Sequence, residues 1–171
     1  RLYFLAALFS LAALAKGTVV INEIHHDPDV KTELAEFIEL HNTGAEPVDL
    51  SGWVIGDAVT FTFPDGSKLD GGGFVVVAHN TAQFKAKFGG SPLGPWLGKL
   101  DNDGERIELR DATGQLTDRV RYRLGFPWPI VGDPPGYSIE LIHPELDNNN
   151  GHNTNDHDHV STPLALCRAQ P

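Results

Sequence analysis

The side chains best equipped for chemistry in this chain are glutamates and histidines set inside apolar runs. Glu23, Glu36 and Glu39 fall in or beside VVINEI and EFIEL, where adjacent strands could bring carboxylates together. Glycosidase-type acid–base work needs two such carboxylates at short separation. No nucleophile or water-activating partner accompanies these three, so they are expected to brace a sheet through bonds to backbone or arginine. His25-His26-Asp27 could donate to a metal. Adjacent histidines on an extended segment point to opposite sides, so one ion cannot easily take both, and Pro28 follows at once. The expectation is a solvated loop.

Other groupings are thinner. Asp147-Asn148-Asn149-Asn150-Gly151 alternates oxygen ligands before a glycine, like half of a calcium loop. The closing glutamate of that pattern is missing. Asp147 and Asn149 are therefore weak calcium candidates, with capping of a turn as the stronger expectation. Asp156, His157, Asp158 and His159 could collect a transition metal adventitiously and do not make a site. Trp96 and Trp128 lie among prolines and glycines, where loop tryptophans can stack on sugars or anchor an interface. The competing reading has them plug the open ends of a sandwich over neighbours such as Phe126. Arg119, Arg121 and Arg123 alternate, so a strand would show all three on one face, a solvated face or a phosphate site. Asp111, Asp118 and Glu108 are expected to neutralise much of it.

The sequence holds no Gly-x-Ser-x-Gly elbow, no phosphate-cradling loop and no His-Glu-x-x-His. Gly71-Gly72-Gly73 precedes a strand rather than a helix and is expected to supply a tight turn. Cys167 is the one cysteine, so no intradomain disulfide is possible and the core must carry the stability. No metal, cofactor or catalytic set is expected.

The elements that position these residues are short. Apolar runs at Val19–Ile24, Phe37–Leu40, Trp53–Ile55, Thr60–Phe63, Phe74–Ala78, Arg106–Leu109, Leu116–Tyr122 and Ser138–Ile142 alternate with clusters of Gly, Pro, Asn and Asp. Many short strands at regular spacing mean a sandwich or barrel. Pro64-Asp65-Gly66-Ser67 and Asp111-Ala112-Thr113-Gly114 each read as the turn of a hairpin. Thr81–Phe88 is the one helical candidate, with Thr81 as its cap, Gly89 as its stop, and Phe84 and Phe88 on one face. Trp53 is expected in the core.

The ends carry different information. Leu2–Leu14 is an almost unbroken apolar run closed by Ala13-Leu14-Ala15, a small-residue cleavage pattern. Residues 1–15 are therefore expected to be a secretory signal peptide, residues 16–151 the domain, and residues 152–171 a polar, disordered tail or linker. The mature chain then has no membrane span, and its place is outside the cytoplasm: secreted, periplasmic or on the cell surface. The chain carries 13 basic and 23 acidic residues, a formal net charge of −10. Such a field repels nucleic acid and anionic membranes unless a local patch overrides it.

Five segments together resemble the lamin tail domain, an immunoglobulin-like β-sandwich found at the ends of nuclear lamins and in many secreted bacterial proteins. They are EFIELHNTGAEPVDLSGW (Glu36–Trp53), VVINEI (Val19–Ile24), FTFPDGSKLDGGGFVVVA (Phe61–Ala78), GKLDNDGERIELRDATGQLTDRVRY (Gly98–Tyr122) and YSIELIHPELDNNNG from Tyr137. The likeness covers Thr18–Gly151. It departs after Gly151, where the family usually places an Asn-Trp pair and this chain reads HNTNDHDHVSTPLALCRAQP. The resemblance implies an all-β, immunoglobulin-like sandwich with at most one short helix, and a non-catalytic module that binds a protein or attaches to a surface or polysaccharide, often beside other domains. A carbohydrate- or calcium-dependent adhesion module is the alternative, and an uncharacterised hydrolase a remote one.

Overall fold

The computed structural model describes residues 19–28, 34–128, 136–143 and 146–149, with the backbone course of 154–158. The elements follow in chain order. They are β1 (Val19–His25), β2 (Phe37–Asn42), β3 (Val48–Asp49), β4 (Val54–Asp57), β5 (Val59–Thr62), β6 (Lys68–Leu69), β7 (Phe74–Ala78), α1 (Thr81–Phe88), β8 (Leu97–Gly98), β9 (Arg106–Arg110), β10 (Leu116–Arg121), β11 (Tyr137–Leu141) and β12 (Thr154–Asp158). Eight of these strands fall on the eight apolar runs, with ends shifted by one or two residues.

Two antiparallel sheets form the sandwich, ordered β12-β11-β1-β2-β7 and β10-β9-β4-β5-β8, with β3 and β6 pairing as a small separate ribbon. Side chains alternate through the strands, so Ile21, Ile24, Ile38, Leu40, Val77 and Ile139 of the first sheet meet Ile55, Val59, Phe61, Ile107, Leu109 and Val120 of the second. These residues are all buried, and this layer between the sheets is the main core.

The first sheet is covered on its other face as well. Helix α1 lays Phe84 and Phe88 on Phe37, Val76 and Ala78, with ring centroids 5.4 Å (Phe37–Phe84) and 5.6 Å (Phe37–Phe88) apart. Strand β2 is therefore buried almost throughout, unlike a sheet with one wet face. Asn80, not Thr81, caps the helix. Asn80 is extended (φ −134°, ψ 110°), and its Oδ1 accepts from Ala82 N and Gln83 N at 3.0 Å each. Gly89 stops the helix at φ 82°, donating its N–H to Lys85 O.

The turn Pro64–Ser67 forms, but it does not join paired strands. The β4–β5 ladder runs on to Trp53 and Phe63, then Pro64 removes the next donor. The chain turns away and β6 pairs instead with β3. The turn at Asp111–Gly114 does join paired strands, β9 and β10, with Asp111 Oδ1 accepting from Thr113 N and Gln115 N. At the Gly71–Gly73 turn, Gly72 takes φ 68°, and a Cβ on Gly71 would lie 2.0 Å from Ala45 O. That turn requires glycine for both conformation and room. Trp53 is half-buried and packs against the core from just outside β4.

The tail expectation needs correction for five residues. Thr154–Asp158 pairs antiparallel with β11 as an edge strand. A ladder is made by backbone groups, so a polar composition that argues against a core still suits a sheet edge. The segment read as a leader, the rest of the tail and Cys167 lie outside the described residues.

Candidate functional site

The glutamates lie in two separate places. Glu23 and Glu39 are directly opposite on β1 and β2, and Glu140 of β11 lies opposite Glu23 on its other side. Strand β1 is bulged between Ile21 and Glu23, and the extra residue, Asn22, donates through Nδ2 to Glu39 Oε1 at 2.9 Å. Ser138 Oγ donates to Glu23 Oε1. Burial pushes the Glu39 carboxyl up to about 8, and the neighbouring acids Glu23 and Glu140 push it further the same way. Glu36 sits apart, just before β2. Its Oε2 accepts from Leu100 N at 3.0 Å and lies 3.5 Å from His79 Nδ1. Burial raises it to about 7, against the lowering effect of the Leu100 N–H. These carboxylates are bonded to backbone, Asn22 and Ser138, and they hold strands and loops in place as the sequence suggested.

The histidine pair departs from its expectation. The two rings do point to opposite sides, but neither is solvated; both are buried. His25, on β1, stacks on Phe37 at 5.2 Å and meets the edge of Phe88. Its Nδ1 lies 3.1 Å from Tyr137 O and carries the proton in that bond. His26 stacks on Tyr122 at 4.9 Å, and burial pushes it down to about 4. The reason is the cover from α1 on one side and the loop before β9 on the other. Asp27 accepts from Asn102 Nδ2 of that same loop.

Both tryptophans are buried, Trp96 at 3% exposure and Trp128 at 7%. Trp96 stacks on His79 with ring centroids 5.8 Å apart. Trp128 packs among Ile21, Ile24, Val120, Ile139 and Leu141. Neither indole offers an open face to a sugar, and the plugging alternative describes them better. Phe126, expected underneath, is instead 88% exposed.

The Asp147 loop works as a clamp. Asn148 is buried and its Nδ2 donates to Ile21 O at 2.8 Å and to Asp118 Oδ2 at 2.7 Å. Asp118 Oδ2 also accepts from Ile21 N at 2.7 Å. Ile21 stays paired with Leu40 of β2, but β11 pairs with β1 only at Glu23 and Ile24, so these side chains satisfy Ile21 on its other edge. The two calcium candidates are engaged in the same way. Asn149 Oδ1 accepts from Arg121 N, and Asp147 Oδ1 accepts from Asn149 N. Among the described residues no group of three or more His, Cys, Asp or Glu is placed to hold a metal ion.

Among the described residues, a cleft of about 690 Å³ opens at one end of the second sheet. Residues 103–106, residues 121–124 and Asp57 line it, with the 103–105 and 122–123 segments running side by side just beyond the β9–β10 pairing. Gly104 is required there: at φ 106°, a Cβ would lie 2.6 Å from Tyr122 O. Tyr122 is buried, and its hydroxyl donates to Asp101 O at 2.7 Å and lies 3.2 Å from Glu105 Oε1. Arg106 pairs with Asp57, and Arg110 pairs with Glu108 at 2.6 Å. Arg119, Arg121 and Arg123 are exposed on one face, as their alternation required. Glu108 is committed to Arg110 and Asp118 to Ile21 and Asn148. None of the three arginines has an ion pair among the described residues, although Glu108 lies opposite Arg119 on β9. Nothing in the sequence pointed to Asp57, Asp103 and Glu105, whose meeting depends on loops and on β4 lying next to β9.

No described helix is long and apolar enough to cross a membrane. The family model for the Lamin Tail Domain matches residues 12–123. No curated protein matches the chain.

Proposed function

The chain belongs to the lamin tail domain family, and from that premise we propose that it is a non-catalytic, exported module that binds a protein partner or attaches to a surface. The observation that carries this reading is where the acids and histidines are placed. Glu23, Glu36, Glu39, His25 and His26 are buried in the frame, while the arginine face and its cleft are open to a partner. Export is supported by the apolar run closed by Ala13-Leu14-Ala15. The burial of Trp96 and Trp128 leaves carbohydrate adhesion without its stacking platform.

Two measurements test the proposal. Turnover by the purified chain on a panel of esterase, phosphatase and glycosidase substrates would overturn the non-catalytic reading. Amino-terminal sequencing of the protein recovered outside the cytoplasm should find a start just after Ala15. Retention of the apolar run would remove the argument for export.

A further inference from the structure

We propose that the column Arg119–Arg121–Arg123, the cleft it borders and the neighbouring Leu124–Phe126 loop form a docking surface for an extended acidic segment of a partner protein. This rests on the binding-module reading and deepens it by naming the surface and the partner's chemistry. The chain has seven arginines, and five of them, from Arg106 to Arg123, lie on β9, β10 and the residues just beyond. Two of the five are held by Asp57 and Glu108. The other three are exposed and carry no ion pair among the described residues. They are two residues apart, a rise of about 6.6 Å in an extended chain, which is also the spacing of alternate side chains in an extended peptide. Acids at every second position of such a peptide would meet one guanidinium each.

The surroundings narrow the occupant. Leu124 and Phe126 are exposed directly after the column, and arginine beside an exposed aromatic residue is the composition of protein interfaces. On the backbone edge of β10, Arg121 N already donates to Asn149 Oδ1, and the Asp118 side chain ties the same strand to Ile21 N, so this stretch of the edge is covered. Recognition therefore falls to side chains rather than to an added strand. The carboxylates of Asp57, Asp103 and Glu105, which also line the cleft, oppose an unbroken run of negative charge. So does the net charge of −10, which disfavours a long polyanion such as nucleic acid. A segment with acids interrupted by neutral residues satisfies both conditions.

The test is fluorescence anisotropy at low salt with a labelled peptide of alternating Glu and Thr residues ending in two Leu residues. The wild-type chain should bind it saturably. Arg121→Ala with Arg123→Ala should weaken binding about tenfold, and Phe126→Ser should also weaken it. Lys85→Ala with Lys87→Ala removes the same charge from α1 and should stay within about twofold of wild type. Melting temperatures confirm that each variant is folded. Equal loss in the lysine and arginine pairs, no binding by wild type, or tighter binding to heparin, duplex DNA or anionic vesicles overturns the proposal. A protein partner held equally well by the arginine-pair variant would overturn this surface and leave the module reading standing. Turnover on the substrate panel, with peptide binding intact, would do the reverse.

Discussion

At the residue scale, single polar side chains hold this fold together in places where the ladder is interrupted. Asn42 is buried, and its Nδ2 reaches Glu46 O, Leu69 O and Asp70 O at 2.8, 3.2 and 3.1 Å, while its Oδ1 accepts from Gly44 N. Asn42→Ala removes all of these and leaves carbonyls buried without donors, at a cost of about 2–3 kcal/mol. Urea unfolding should show that loss, and a change below about 0.5 kcal/mol would mean the amide is not needed there. The role of Asn42 was illegible in the sequence, because Asn before Thr-Gly reads as turn chemistry and two of its three acceptors, Leu69 O and Asp70 O, lie 27 and 28 residues away. The same holds for Asn22, whose presence on the outer face depends on a bulge that no periodicity announces. By contrast, the bracing role of the glutamates was legible, since they stand in apolar runs with no reactive companion.

At the scale of elements, the helix and eight of the twelve described strands came through in the sequence to within one or two residues, because periodicity and Gly, Pro and Asn punctuation are local signals. Pairing was less legible. The β3–β6 ribbon and the placement of β12 depend on which backbone edges are left open once the sheets assemble. Helix α1 owes its place to one contact cluster. Phe84→Ala should cost about 3–5 kcal/mol, since its ring fills the space over Phe37, Val76 and Ala78. Asn80→Ala should cost about 1 kcal/mol by leaving two helix N–H groups without an acceptor. Thermal unfolding by circular dichroism separates the two. If Asn80→Ala cost as much as Phe84→Ala, capping rather than packing would be what holds the helix down.

At the scale of the whole molecule, buried ionisable groups set how stability depends on pH. Glu36 and Glu39 titrate near 7 and 8 in the fold, above the 4.5 of a free glutamate. Each binds its proton more tightly when folded, so its contribution is full at low pH and is lost as pH rises through those values. His26 is the opposite case. Its folded value, about 4, lies below its free 6.5, so the fold loses stability as pH falls from 6.5 toward 4. The melting temperature should therefore rise as pH drops from about 8 to 6.5 and fall again below about 4.5. Glu39→Gln should flatten the upper part of that curve. A melting temperature unchanged between pH 8 and 6.5 would mean that these carboxyls are ionised in the fold.

The seam at Ile21 also gives the sandwich a kinetic character. Its bonds come from Asp118 and Asn148, 97 and 127 residues away along the chain. Contacts that close such long loops cannot form until the strands on either side are already in place. They belong to the last steps of folding, so Asp118→Ala should speed unfolding and leave the refolding rate nearly unchanged. One carboxylate and one amide at this seam therefore bear on how long the folded state lasts rather than on how fast it is reached.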